Sequence, residues 1–390
     1  MYKKIDVAIE KATDIMLEKG LHCYDKADFL QLPIYINSSK TNTFFGRINK
    51  LLIQILISLF PNNIRKLFKI KKNRIAQAEA LLILADCIDN TKLVKNKIDA
   101  LDSLKIKTES GEGFGLPFPV YKNDKYFFNI PYAHSTIWCL NAYIEAYKNH
   151  PTKDLRLKIG KLISYLDKDL NYAKEAVGLS VSYTAYDKDK IINVSAELSA
   201  AFLNFSKNVE KTPHVEKKAT DLMKFVISNQ DSDGGFPYKP GPNGVYDFYH
   251  STMVLRSILA FMDLQKKYMY LNHFIIGNRF LQDKLFNSGY PKRTISKKYP
   301  VDTYSLCESL MLNMDIINFQ KKHNQLKKID IKKNDILSFC GLLIDDFQLK
   351  NGQFILQKIF FIKNKLYSLR WSHAYCIYVL KRAKMEFQNA

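Results

Sequence analysis

Along much of this chain, apolar residues recur at the spacing of one helical face. In "TPHVEKKATDLMKFVISNQ", residues 212–230, the side chains Val215, Ala219, Leu222, Met223, Val226 and Ile227 fall on one side of a 3.6-residue helix. Thr212 fits a cap and Pro213 the first helical position. Similar amphipathic helices are readable near 3–19, 92–104, 152–168, 268–286 and 331–348. Between them come more uniformly apolar helices, starting near Arg74, His134, Asn193, Asp247, Asp302 and Trp371. The starts lie about 50 to 70 residues apart, the self-similarity of a repeat architecture. Strand signals are weak throughout. Six apolar and six amphipathic helices in alternation predict an all-α (α/α)6 toroid. The apolar helices form the inner ring, the amphipathic ones the outer ring, and the helix at 3–19 closes against the last inner helix. An open superhelical solenoid is the alternative.

The loops ahead of the apolar helices share a pattern. "DGGFPYKPGPNGVYDFYHSTMVLRSIL", residues 233–259, opens on glycines and crowds aromatics, a carboxylate and an imidazole at a helix start. If the inner helices run parallel, their N-termini converge at one mouth, with unpaired N–H groups and the positive ends of their dipoles. Aromatic walls with a few polar groups beneath such ends suit a sugar ring carrying an anionic group. "FVISNQDSDGGF", residues 225–236, fits the QW-type repeat of terpene cyclases, and "LIDDFQLKNGQF", residues 343–354, fits it less well. That motif is structural and is expected to tie an outer helix to the next inner one. The acidic DxDD and DDxxD motifs of those enzymes are absent. Asp231-Ser-Asp233 follows a helix rather than a strand, so it is a poor glycosyltransferase DxD. "GEGFG", residues 111–115, lacks the flanking strand and helix of a dinucleotide loop.

Composition adds limits. The 390 residues carry 47% apolar side chains and no Pro- or Ser/Gly-rich linker, so one large domain, 1–390, is expected. The formal charge of +21 comes largely from Lys on exposed helix faces. No nucleic-acid motif accompanies it, so the expected partners exclude nucleic acid and include an acidic glycan or an anionic membrane surface. The six cysteines are far apart, with no CxxC pair, and no metal or cofactor is expected. The N-terminus does not read as a signal peptide, which predicts a cytoplasmic protein. The longest apolar run, Leu51 to Phe60, is too short to span a bilayer and bears a polar stripe of Lys50, Gln54 and Ser58. Arg65, Lys66, Lys69, Lys71, Lys72 and Arg74 follow it. Residues 44–72 therefore read as an apolar and basic insertion, either an in-plane anchor on the inner membrane or a core helix with a solvated turn.

Three of the eight histidines, His134, His250 and His373, occupy near-equivalent repeat positions at the expected mouth. A lone His at a helix start usually makes only a structural hydrogen bond, but the recurrence singles these out. Asp247 and His250 lie one helical turn apart and can lean to the same side. Asp247 also fits a helix cap. Glu197 falls inside a helix, where an acid needs a partner.

The series "GFGLPFPVY", "SVSYTAYDKDKIINVSAELSAAFL", "DGGFPY…VYDFYHSTMVL" and "LRWSHAYCIYVLKRA" resembles a family of toroid proteins from bacterial surface-polysaccharide gene clusters, over roughly residues 65 to 384. Phe114 and Phe236 stand where that family usually has Trp, Ala185 where it has Pro, and His373 where it has Gln. The resemblance implies capsule- or O-antigen-type polysaccharide biosynthesis, with an anionic or lipid-linked glycan bound or modified in the ring. His250, Asp247, Tyr246 and His373 are the candidate catalytic residues. Tyr183, Asp187, Asn193, Tyr238, His134, Tyr304, Arg370 and Trp371 are the candidate substrate contacts. The toroid relatives suggest epimerisation, lysis or glycoside hydrolysis, all within reach of Tyr, His and Asp as acid and base. A non-catalytic glycan-binding scaffold and a prenyl- or terpenoid-handling enzyme are the alternatives.

Overall fold

The computed structural model describes residues 1–40, 43–89, 94–122, 125–241, 244–326, 329 and 331–388. Residues 92 and 93 of the helix expected over 92–104, and Pro242 and Asn243 of the 233–259 stretch, lie outside these. The helices are α1 (Tyr2–Lys19), α2 (Pro33–Lys40), α3 (Phe44–Leu59), α4 (Pro61–Leu67), α5 (Ala76–Asp89), α6 (Val94–Asp102), α7 (Ala133–Asn149), α8 (Lys153–Lys168), α9 (Ile192–Asn208), α10 (Pro213–Ser228), α11 (Phe248–Gln265), α12 (Leu271–Leu285), α13 (Thr303–His323), α14 (Lys333–Phe347) and α15 (Ala374–Gln388).

The (α/α)6 toroid is present. Helices α5, α7, α9, α11, α13 and α15 each pack on the next, and α15 packs back on α5 to close the inner ring. Outside them, α6, α8, α10, α12 and α14 each cover the inner helix they follow, and α1 covers α15. Patterning explains the sorting. The inner helix α9 buries most of its residues, with neighbours on nearly every side. The outer helix α10 buries Val215, Ala219, Leu222, Met223, Phe225 and Val226 and turns Lys217 and Lys224 to water. Pro213 opens α10, but the Thr212 hydroxyl donates to Glu210 O instead of capping.

The loops interlock around the ring. The carbonyl of Tyr183, ahead of α9, accepts from Ala133 N at the start of α7. Tyr238 O, ahead of α11, accepts from Ile192 N of α9, and Leu356 O, ahead of α15, accepts from Thr303 N of α13. Each of these loops thus satisfies an orphan donor of the inner helix before its own. The periodic glycines have a matching cause. Gly234 (φ +100°) lies on α12, where a Cβ would fall 2.7 Å from Ile276 O, and Gly352 (φ +95°) lies on α1, 2.4 Å from Lys11 O. Both need a left-handed backbone and the absence of a side chain.

The QW-type glutamines do one job, though not the expected one. Gln230 Nε2 donates to Gly234 O at 3.0 Å and to His273 O of α12 at 2.9 Å. Gln348 Nε2 donates to Gly352 O at 3.1 Å and to Ala8 O of α1 at 2.8 Å. They tie one outer helix to the next outer helix, through the glycine loop, rather than to an inner helix.

Residues 20–73 leave the ring and return, bringing Cys23 and Asn73 together as an antiparallel bridge. A second apolar cluster forms here from Tyr24, Leu32, Ile53, Ile57, Ile70, Leu356 and Leu366, with Trp371 packed against it. Arg65 is buried in it rather than presented to solvent. Its guanidinium donates to Asp28 at 2.8 and 3.0 Å, to Pro61 O at 3.0 Å and to Asp25 O at 2.9 Å. Burial pushes the Asp28 carboxyl up to about 6 against the pull of that guanidinium.

Candidate functional site

Helix starts gather the side chains at one face of the ring. Asp247 precedes α11 in an extended conformation, and its carboxylate accepts from His250 N at 3.0 Å, capping the helix. The other oxygen lies 2.6 Å from His250 Nδ1. A carboxylate can only accept, so Nδ1 carries the proton and Nε2 is the nitrogen left for exchange. Burial pushes the Asp247 carboxyl up, but the His250 ring, its two hydrogen bonds and the Arg293 guanidinium outweigh this and hold it below the usual carboxylate range.

The His250 ring sits against Tyr238 (centroids 4.6 Å apart) and Tyr249 (4.1 Å). Tyr249 touches Trp371 and Tyr304, Tyr304 touches Tyr375, Tyr375 touches Trp138, and Trp138 touches His134. His134 Nδ1 lies 3.0 Å from Glu197 Oε2, which also faces Asn193 Nδ2 at 3.5 Å. Asn193 is buried, yet its Oδ1 has no partner. Tyr183 packs on Tyr132 at 5.3 Å, and burial pushes its phenol up to about 12. Tyr238 and Tyr249 are pushed higher still, again by burial. At neutral pH these phenols keep their protons and are donors. The result is a continuous run of aromatic rings, the aromatic basin of this face, with an imidazole–carboxylate pair at each end.

Cations edge the basin. Lys26 and Arg293 share Asp302, at 2.7 and 2.8 Å. Arg370 pairs with Asp25 at 2.9 Å, and Trp371 Nε1 donates to the same carboxylate at 3.2 Å. Lys26 and Arg370 lie over the Trp371 ring at 5.0 and 4.8 Å. These contacts fix Trp371 in place and put positive charge beside it.

The structure thus brings His250, Asp247, Tyr238, Trp371, Tyr183, Asn193 and His134 to one face. Four other residues have different surroundings. His373 is sealed in the core, where Nε2 donates to Ala12 O at 2.7 Å and Nδ1 accepts from Phe354 N at 3.3 Å. Burial holds it down to about pKa 4, so it is neutral and structural. It precedes α15 as His250 sits in α11, but a five-residue π turn, Leu369–His373, rotates it away from the basin. Tyr246 points outward, its ring on Phe280 of α12 and its hydroxyl on Asp231. Asp187 is consumed by its own turn, accepting from Tyr183 N, Thr184 N, Thr184 Oγ1 and Asp189 N. Tyr304 is buried as floor beneath Tyr249 and Trp371.

Sequence reasoning missed Tyr249, Arg293, Lys26 and Asp25 and left Glu197 without a role. The Asn193–Glu197 spacing was a signal, since i and i+4 share a helix face. Arg293 and Lys26 sit in loops, where no periodicity marks them.

An opening lies at the other end of the ring. A cavity of about 600 Å³ is lined by the C-terminal halves of the inner helices, including Asn141, Asn204, Asp315, Asn318, Lys322 and Arg382. Trp138 and Glu197 also line it, so the His134–Glu197 pair borders both it and the basin. The expectation placed this cavity under the helix N-termini, but it opens at the opposite end, and large aromatics fill the centre of the N-terminal face. Among the described residues, no three His, Cys, Asp or Glu side chains group closely enough to hold a metal ion.

No protein-family model and no curated protein matches the chain in sequence. Solved structures match in shape. A sugar epimerase from a ruminal bacterium superposes with a TM-score of 0.61 at 12% identity, over 81% of this chain and 87% of that one. A family 76 α-mannanase of Bacteroides thetaiotaomicron gives 0.60 at 14% identity, over 81% and 87%. A cellobiose 2-epimerase of Spirochaeta thermophila gives 0.61 at 8% identity, over 89% and 98%. At such identities the likeness concerns the fold alone.

Proposed function

We propose that the protein is a sugar-modifying enzyme that moves a proton at a carbon of its substrate, as an epimerase or isomerase does. The observation that carries this reading is the pair of imidazole–carboxylate couples, His250–Asp247 and His134–Glu197, at the ends of one aromatic basin. One ring nitrogen removes the proton from a carbon next to the sugar's carbonyl, leaving an enediolate. The protonated phenols of Tyr183 and Tyr238 would donate to the developing oxyanion. The second imidazole returns a proton to carbon, and inversion or carbonyl migration follows from the face or carbon chosen. Glycoside hydrolysis needs a carboxyl held protonated as the acid. Asp247 is instead held ionised, which favours imidazole chemistry. Lys26, Arg293 and Arg370 are each paired with a buried carboxylate and so do not select a charged sugar, while the sequence resemblance supports a glycan of surface-polysaccharide assembly, free or lipid-linked.

The test is incubation in D2O with a panel of hexoses, hexosamines, uronic acids and their nucleotide-linked forms, read by NMR and mass spectrometry. Deuterium should enter at one carbon-bound position. His250→Ala and His134→Ala should each slow exchange by roughly 10²–10⁴-fold, with melting temperatures close to wild type. New reducing ends without deuterium would make the protein a hydrolase. Sugars bound but recovered unchanged would make it a glycan-binding protein.

A further inference from the structure

The helix α3 is built the wrong way round for a core helix. Only Gly46, Ile53 and Ile57 are buried against the protein. Phe45, Leu51, Leu52, Ile55, Leu56 and Leu59 are exposed, Phe45 by 75% and Leu51 by 57%. At 100° per residue this outward apolar arc spans about 140°, roughly two-fifths of the circumference. Arg47, Lys50, Gln54 and Ser58 form a polar stripe between the two apolar faces. After Phe60 the chain bends by 116° into α4, at whose end Leu67 and Phe68 are also exposed. An unbroken apolar face of this kind marks an interaction surface.

Charge selects the occupant. No Asp or Glu occurs from Phe29 to Ala78, while Lys66, Lys69, Lys71 and Lys72 are exposed at the end of the excursion. No single helix among the described residues is long and apolar enough to cross a membrane. An exposed apolar arc beside unopposed lysines matches an interface of acyl chains under anionic headgroups. The neighbouring hairpin, Gln357–Ile359 with Ile362–Asn364, packs on α3 and exposes Phe360 and Phe361 at its turn.

We infer that α3 and α4 dock this protein in the plane of an anionic membrane. The buried side of α3 shares its apolar cluster with Trp371, and Trp371 touches Tyr249 and Tyr304 of the basin. Docking therefore holds the basin close to the bilayer surface. Resting on the sugar chemistry proposed above, this makes a sugar carried on a membrane lipid the substrate class.

The full chain is sedimented with phosphatidylcholine vesicles and with vesicles containing phosphatidylglycerol. Wild type should pellet with the anionic vesicles and be released by salt. Leu52→Gln with Ile55→Gln and Leu59→Gln should abolish pelleting while the melting temperature holds, because these side chains face outward. Lys66→Glu with Lys69→Glu and Lys71→Glu should weaken it by more than about a hundredfold. Wild type remaining in the supernatant with anionic vesicles, or a glutamine variant that pellets equally, overturns the inference. So does a dimer, seen by light scattering, that the glutamines dissolve without any vesicle binding. The two readings separate cleanly: His250→Ala should lose deuterium exchange yet pellet like wild type, and the glutamine variant should keep exchange on a water-soluble sugar.

Discussion

His250 and His373 show how far residue identity reaches. Both were singled out by repeat position, and the chemistry beside Asp247 was readable because three residues place two side chains on one helical turn. The fate of His373 was not readable, because a local π turn resets the phase and Ala12, its partner, is 361 residues away. The buried ring makes a pH prediction. In the fold its pKa is lowered to about 4 from 6.5, so between those values the unfolded chain binds the extra proton. Stability is therefore complete above the unfolded value and falls as pH drops from 6.5 towards 4, by roughly 3 kcal/mol from this group. Glutamine offers an N–H for Ala12 O and an oxygen for Phe354 N. His373→Gln should leave neutral-pH stability within about 1 kcal/mol and flatten the acid side of the curve. Denaturant melts at pH 7 and pH 4.5 compare the two slopes, and equal slopes would deny His373 its part.

At the scale of elements, the 3.6-residue period located the six outer helices and the apolar runs between them located the six inner ones, with starts within a few residues. Periodicity reports which faces are buried, and here burial follows ring position. What it could not supply was the partner of each loop. Gly234 and Gly352 read as turn residues, whereas their purpose is close approach to the outer helix of the next repeat. Gly234→Ala and Gly352→Ala should each cost roughly 1–3 kcal/mol, through the left-handed backbone and the displaced Ile276 or Lys11. Gly241 has a positive φ as well but open space around it, so Gly241→Ala should cost less than either. Thermal melts of the three variants rank them, and a Gly241 variant as unstable as the others would remove the close-approach explanation. The outward face of α3 was the other illegible point, since an apolar run looks alike whether it faces a core or a lipid.

For the molecule as a whole, the toroid could be read from alternation alone, but its fastening could not. Inside the ring, Arg256 of α11 bonds Asp315 at 2.8 Å and Glu308 at 2.9 Å, both on α13. Glu308 in turn accepts from Tyr375 of α15 at 2.6 Å, and Arg382 of α15 reaches Asp315 at 2.7 Å. Burial pushes the Glu308 carboxyl up, and the Arg256 guanidinium opposes it. Arg256→Ala would leave Glu308 buried without its cation, so a loss of about 3–5 kcal/mol is expected. Arg256→Ala combined with Glu308→Leu should recover part of it, and a double variant no more stable than the single one would count against the pairing.

The loops that satisfy the helix before them carry a further implication. A linear array of such units would always finish with one helix start unserved and one loop resting on nothing. Open solenoids meet that problem with specialised terminal repeats. Here α1 receives the loop of Gly352 and the side chain of Gln348, so the first helix of the chain acts as the last member of the series. Closure lets every unit be an interior one, and no repeat has to be spent as a lid.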